Sequence, residues 1–281
     1  MLVAHFFDLV PIWLLLVGTI LIMVAFIEFG FRLGKKAQAN AKKAQTSQVR
    51  AIMGAGLGLL AFMLAFTFST AQSHFEARVQ SLAEEARIAR NAFMEADLLM
   101  EPRRTQAKQL LRDYIALRGG ISEVRGDNIS DQVTDLIRTS EKIQGELWSL
   151  ATHKDQPSMD NQTELKQSDL FMGSILALTD IHYTRVHSAI MNRIPLTIWM
   201  TLYLMAILSM IIMGYQAGLT DRRSPVATIT LAVAFSAVII LITDLDRPIM
   251  SFFEINKQLL VDLHEYMEAD LRPEYYPGEQ S

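Results

Sequence analysis

Cysteine is absent from this chain. Disulfides, thiolate metal sites and cysteine nucleophiles are therefore excluded, while the compartment is left open. Basic runs with interleaved aromatics are missing too, and the net charge of -4 is small. Nucleic acid is not an expected partner. There is no glycine-rich phosphate loop. The GAGLG of residues 54–58 sits inside an apolar run, where small residues serve close helix packing. The six histidines offer no metal pair: His182 and His187 are five apart and do not share a helix face. His182, one turn from Leu178, reads as a packing or surface histidine. The acids lie on helices that must face water. No catalytic residue, metal or cofactor is expected, and the chain reads as no enzyme. The first residues carry no Lys or Arg. The first apolar run therefore lacks the basic start of a cleaved signal and reads as a retained span.

What the chain has is apolar length. Of its 281 residues 51% are hydrophobic and 20% charged, with a mean hydropathy of +0.21. That is too apolar for an ordinary soluble domain and too charged for a pure membrane bundle, so a mixed protein in a lipid bilayer is expected. Apolar runs near 9–29, 52–70, 196–219 and 226–245 read as four spans. Pro11 fits the first turn of the first span, and Trp13 an interfacial anchor. No span holds a central ionisable residue; Glu28 and Asp244 lie near span ends. This argues against an ion-coupled transporter, which needs charge inside the membrane.

The resulting organisation is all-α. Residues 1–30 hold the first span and 31–51 a basic cytoplasmic loop. The second span follows at 52–70. An extramembrane helical domain occupies 71–194, inserted between the second and third spans. Residues 195–245 form a transmembrane hairpin and 246–281 a polar C-terminal tail with a short helix near 255–271. The loop carries Arg32, Lys35, Lys36, Lys42, Lys43 and Arg50 and no acid. It reads as a loop obeying the positive-inside rule, or as a segment binding anionic lipid. Within the domain, apolar stripes mark helices over 103–118, 130–153 and 163–194, with 154–162 a loop by composition. Four helices, two continuous with spans, make an antiparallel bundle the natural fold. Charge sets topology. The two loops on one side, 30–51 and 219–225, carry six and two Lys/Arg against Asp221 alone. The termini and the helical domain are expected outside the cytoplasm.

One stretch organises the rest. Residues 52–101 contain no proline and start as a span, then run on into a charged helix that ends at Pro102. A stripe in strict 4-3 steps crosses both parts, from Gly54, Gly58, Ala61 and Ala65 to Leu82, Ala86, Ala89, Phe93, Ala96 and Met100. That is the period of a helix packed along one seam. The small residues of its membrane part are assigned to helix packing. A different face, Leu59, Phe62, Phe66 and Thr70, is the candidate pore lining, because rings of Phe can gate by dewetting. At the end of the fourth span, Asp244, Asp246 and Arg247 are latch candidates. Arg247 can pair with Asp97, Glu101 or an acid of its own turn, and Arg193 with Asp244.

Several motifs stand in a fixed order: Leu64-Ala65-Phe66-Thr67-Phe68-Ser69; Glu85-Ala86; Ala96-Asp97-Leu98-Leu99; Pro102 and Arg104; Leu110-Leu111-Arg112-Asp113-Tyr114 with Arg118; and Leu245-Asp246-Arg247-Pro248. This order resembles the bestrophin-like family of bacterial membrane proteins. Arg87, Arg90, Met100 and Phe252 depart from its pattern. The resemblance implies a plan of span, span, helical domain, span, span. By analogy with bestrophins it implies a pentameric anion channel of the bacterial inner membrane, whose second span lines the pore with bulky apolar side chains. It also implies a cytosolic helical domain, against which the charge count is preferred here. The expected function is thus a homo-oligomeric channel with inorganic ions as its cargo. The alternative is a non-conducting sensor or scaffold whose helical domain binds a partner or ligand.

Overall fold

The computed structural model describes residues 10–38, 43–120, 129–152, 162–191, 193–220, 224–247 and 258–272. Among them are eight α-helices and no strand. They are α1 Ile12–Ala37, α2 Lys43–Glu95, α3 Arg103–Gly119, α4 Ile129–Thr152, α5 Gln162–Met191, α6 Leu196–Thr220, α7 Pro225–Asp246 and α8 Gln258–Asp270. Four of them, α1, α2, α6 and α7, are long and apolar enough to cross a membrane. Residues 154–161 of the loop expected at 154–162, Lys42, the Arg222–Arg223 link, Pro248 and the end of the tail from residue 273 lie outside the described residues, and Gln162 already belongs to α5.

The chain divides into two compact units. The membrane unit comprises 3–76 and 192–254, and the helical unit 77–191 and 255–281. Helix α2 contributes to both. It ends earlier than Pro102: the α-helix stops at Glu95, and Ala96–Leu98 tighten into a 3-10 turn. The Arg104 guanidinium then donates to the Leu99 carbonyl (3.0 Å), satisfying a backbone acceptor in the connection to α3.

In the membrane unit, α1 packs most extensively on α6. Two pairs of glycines make this crossing possible. A Cβ on Gly30 or Gly34 would strike the backbone carbonyls of Ile211 or Tyr215. One on Gly214 or Gly218 would strike those of Ile27 or Phe31. Each helix thus presents a Gly-xxx-Gly face to the backbone of the other, the close approach that drives association where water cannot. This is why α1 extends past Gly30 to Ala37, beyond the span expected at 9–29. Gly30 and Gly34 face α6, while Arg32, Lys35 and Lys36 point outward. Met23 and Ile27 of α1 share a core with Leu60, Leu64 and Ala71 of α2, Trp199, Leu202 and Met210 of α6, and Ile239 and Ile242 of α7.

The helical unit is built on the C-terminal part of α2 with α3, α4, α5 and α8. Its core joins Leu82, Ala89 and Phe93 to Leu111 and Ile115, Leu147, Phe171 and Ile175, and Leu260 and Met267. The tail is therefore more than a polar appendage, since α8 supplies a fifth helix to this unit. Lys108 fixes it in place. Its ammonium pairs with Asp97 (2.5 Å) and Asp270 (2.8 Å) and lies 4.8 Å from the centre of the Phe93 ring. Burial works against the ammonium, but its hydrogen bonds to Asp270 and Asp97 prevail and its pKa is raised.

Burial along α2 differs from the strict 4-3 stripe. From Leu82 to Ala96 the two coincide: Leu82, Ala86, Ala89, Phe93 and Ala96 are buried, while Val79 and Met100, at either end of the stripe in this unit, are exposed. In the membrane unit the buried line is Leu60, Leu64, Thr67 and Ala71, and Gly54, Gly58, Ala61 and Ala65 are exposed. The reason is the period. A repeat of 3.5 drifts about 20° per heptad against a helix of 3.6 residues per turn. Counted back from Ala96, the two lines are one residue apart by Ala61, which is about 100° of helix.

Candidate functional site

The helical unit carries one polar layer in its apolar core. On α3 the buried positions Ala107, Leu111, Tyr114 and Arg118 follow one face in steps of four and three. On α5 the same spacing runs through Phe171, Ile175, Leu178, His182 and Arg185, and on α4 through Ser140, Gln144, Leu147 and Ala151. Glu85 continues the buried face of α2. At one level of the bundle, four helices therefore present Glu85, Tyr114, Arg118, Gln144, His182 and Arg185 to one another.

Glu85 is the hub, and it is fully buried. Its Oε1 accepts hydrogen bonds from the Tyr114 hydroxyl and from Arg118 Nε (3.0 Å). Its Oε2 accepts from Arg118 Nη2 (3.4 Å) and forms an ion pair with Arg185. Gln144 donates to the Tyr114 oxygen (3.4 Å), and His182 Nδ1 lies 3.4 Å from that oxygen. The single Tyr114 proton is engaged by the carboxylate. His182 therefore meets the tyrosine oxygen as a donor through Nδ1–H, which leaves Nε2 as an acceptor. That Nε2 is buried and has no hydrogen-bond partner among the described residues.

Protonation follows from burial. Burial, and then the Arg118 charge, pull His182 down to about 4, so it is neutral near pH 7. Burial lowers Arg185 to about 10 and lowers Arg118 as well, and both stay charged. Burial raises the Tyr114 hydroxyl against the opposing pull of Arg118 and Gln144, so it stays protonated. Two guanidinium charges thus meet one carboxylate. Among the described residues the cluster holds an excess of one positive charge.

The membrane unit places the other sequence candidates. Phe62 is 66% exposed, Phe66 57% and Leu59 48%. Thr70 is half-buried, and its hydroxyl donates to the Phe66 carbonyl (3.1 Å). The first three therefore share an outward face that no described helix of the same chain covers. Gly54 and Gly58 also open outward, since a Cβ on either would meet nothing. Ala61 and Ala65, with Phe68, border an apolar groove of about 430 Å³ whose other wall is α7, at Leu231, Phe235 and Val238. Within one chain the small residues leave a groove instead of seating a helix.

Two of the latch candidates, Arg247 and Asp246, meet backbone groups at span ends. The Arg247 guanidinium donates to the Val10 carbonyl before α1 (2.8 Å), and Asp246 Oδ1 accepts the Ile194 backbone N–H before α6 (3.0 Å). Asp244 is buried and Arg193 half-buried. Asp97, one expected partner of Arg247, pairs with Lys108.

A family model described as the bestrophin-like domain matches residues 17–258. The chain belongs to the bestrophin-like family. With four helices long and apolar enough to cross a bilayer, it is a membrane protein. Among curated proteins, none matches it. The bestrophin-like match runs from α1 to the first residue of α8 and so contains both the buried cluster and the exposed face of α2. Three members of the cluster, Glu85, Tyr114 and Arg118, belong to the bestrophin-like motifs read in the sequence, yet they carried no site assignment. The available signal was register. Glu85 falls beside the Leu82–Ala86–Ala89 stripe, and Arg118 falls on the Leu111–Tyr114 face, so each is a charge on a buried line. Gln144, His182 and Arg185 had no such motif. The glycine crossing was also legible, as Gly30-xxx-Gly34 and Gly214-xxx-Gly218, but the first pair was read as the start of a loop.

Proposed function

We propose that this bestrophin-like protein is a homo-oligomeric ion channel of the bacterial inner membrane, with α2 lining an axial path for anions. The observation that carries this reading is the exposed apolar face of Leu59, Phe62 and Phe66 beside the open Gly54 and Gly58. Lipid would cover phenylalanines. Adjacent glycines with nothing near them favour the backbone of another helix, and copies of α2 around an axis satisfy both. Phe62 and Phe66, one turn apart, then form two rings that close the path by excluding water. A pentamer is the assembly that analogy with bestrophins suggests. No reaction is assigned to the chain.

In planar bilayers, F62A and F66A are expected to raise single-channel conductance several-fold by widening the neck. The purified chain should be a ring by native mass spectrometry. A monomer, or parent and variants alike without current, rejects the channel.

For orientation, the proposal keeps the charge count: both termini and the helical unit lie outside the cytoplasm. Because the chain has no cysteine, any introduced thiol is the sole label. Arg138 is an exposed site on α4, with a side chain 76% accessible, and Lys35 an exposed site at the end of α1. A membrane-impermeant maleimide should label R138C in intact spheroplasts and leave K35C unlabelled until lysis. The reverse pattern inverts the topology.

A second reading is a non-conducting membrane sensor or scaffold whose helical unit binds a ligand. The observation favouring it is the buried charged cluster around Glu85, which packing alone does not require.

A further inference from the structure

Among the described residues, the cluster around Glu85 is short of one negative charge and one hydrogen-bond donor. The charge deficit comes from Arg118 and Arg185 facing the single carboxylate of Glu85. The described groups packed around them from the other elements are Tyr114, Gln144 and His182, and none of these carries a charge at neutral pH. An excess charge in such a place is strongly unfavourable unless it is compensated. The donor deficit is at His182. Its Nδ1 is committed to the Tyr114 oxygen, and its Nε2 is an acceptor with no partner among the described residues, on a residue only 4% exposed. Arg185 stands one turn along the same face of α5. Its side chain is 15% exposed, against 5% for Arg118 and none for Glu85, so it is the member of the trio open to solvent. Among the described residues Arg185 meets only Glu85, and most of its five N–H donors are left over.

We propose that this cluster binds a monovalent oxyanion that still carries a hydroxyl, of the hydrogencarbonate or dihydrogenphosphate type. The anion supplies the missing charge to Arg185 and Arg118 through its oxygens. Its hydroxyl donates to His182 Nε2. Both deficits are met by one molecule, and the ion approaches past Arg185. Chloride and nitrate carry the charge but no hydroxyl, so they meet only one of the two. The site lies within the helical unit and stands whether or not the protein conducts.

The test is isothermal titration of the full chain in detergent, near neutral pH and at constant ionic strength. Sodium hydrogencarbonate, phosphate, nitrate and chloride are titrated separately. Saturable binding of hydrogencarbonate or phosphate is expected, about tenfold or more tighter than nitrate, as one buried hydrogen bond in a charged site warrants. Which of the two binds tighter identifies the oxyanion. In H182F the preferred oxyanion should fall to the level of nitrate, and in R185M binding should be lost. The comparison among anions needs only the parent protein, so it stands even where a variant fails to fold. Equal binding of nitrate and the hydroxyl-bearing ions rejects the recognition through His182, and absence of saturable binding by either oxyanion rejects the site. Bilayer currents read the channel independently, so either idea can fail alone.

Discussion

Replacing Glu85 with alanine is expected to destabilise the helical unit by about 3–5 kcal/mol, the cost of breaking a buried ion pair by removing one partner. The side chain is fully buried, accepts hydrogen bonds from Tyr114 and Arg118, and is the ion-pair partner of Arg185. Its loss leaves two guanidinium groups in the core with no carboxylate and frees the Tyr114 hydroxyl from its acceptor. Trp148 on α4 is the tryptophan of this unit, while Trp13 and Trp199 belong to the membrane unit. In a W13F/W199F background its fluorescence therefore follows the unfolding of the helical unit in urea. The triple variant E85L/R118M/R185M should recover most of the loss. Apolar residues of similar volume remove the desolvation of all three charges at once. An E85A variant within about 0.5 kcal/mol of its parent, the usual span for an inconsequential surface change, would sink the idea of Glu85 as the hub.

The second large effect is expected from a single methyl group. G214A places a Cβ against the Ile27 carbonyl and the Phe31 backbone N, neither of which can swing aside as a side chain would. Overpacking typically costs about 1–3 kcal/mol, occasionally more, and a clash with backbone belongs at or above the upper end. The expected readout is loss of the monodisperse peak on size exclusion in mild detergent, with a lower midpoint of thermal unfolding. G18A is the matched control, because a Cβ there, on α1 itself, meets nothing. It should leave the fold of a single chain intact, and it exchanges a poor helix former for the best one. Equal behaviour of the two variants would rule out the glycine crossing as the determinant of α1–α6 packing.

The two glycine motifs also show where sequence reading succeeded and where it stopped. The four spans were legible because length and hydropathy suffice to mark them. Which face of a span is buried was not, since an all-apolar helix gives no amphipathic contrast. The small-residue stripe through Gly54 and Gly58 looked as good a packing face as Gly30/Gly34, and only the approach of α6 separates them. In the helical unit, contrast between apolar and charged positions exists, and the stripe from Leu82 to Ala96 matched the buried face. The cluster was half legible for a related reason. Glu85 and Arg118 sit on buried registers, but pairing them requires knowing that α2 and α3 meet at that level. His182 and Arg185 look like any His and Arg on a long polar helix until α5 is placed. The turn at Asp246 and Arg247 was read as a latch, and its partners, the Val10 carbonyl and the Ile194 N–H, were invisible because a backbone group has no signature in sequence.

The position of α8 has a consequence for the order of synthesis. The helical unit draws its last core residues, Leu260, Leu263 and Met267, from the far side of two membrane spans. Lys108 waits for a partner 162 positions ahead, Asp270. A nascent chain therefore completes α2 to α5 while one wall of that core does not yet exist. At ~5–20 residues per second the interval between the end of α5 and the start of α8 is on the order of 3–13 s. Throughout it, the bundle presents an uncovered apolar strip. Closure of the bundle becomes possible only once the last helix emerges, so truncation upstream of residue 258 leaves that strip open to chaperones and proteases.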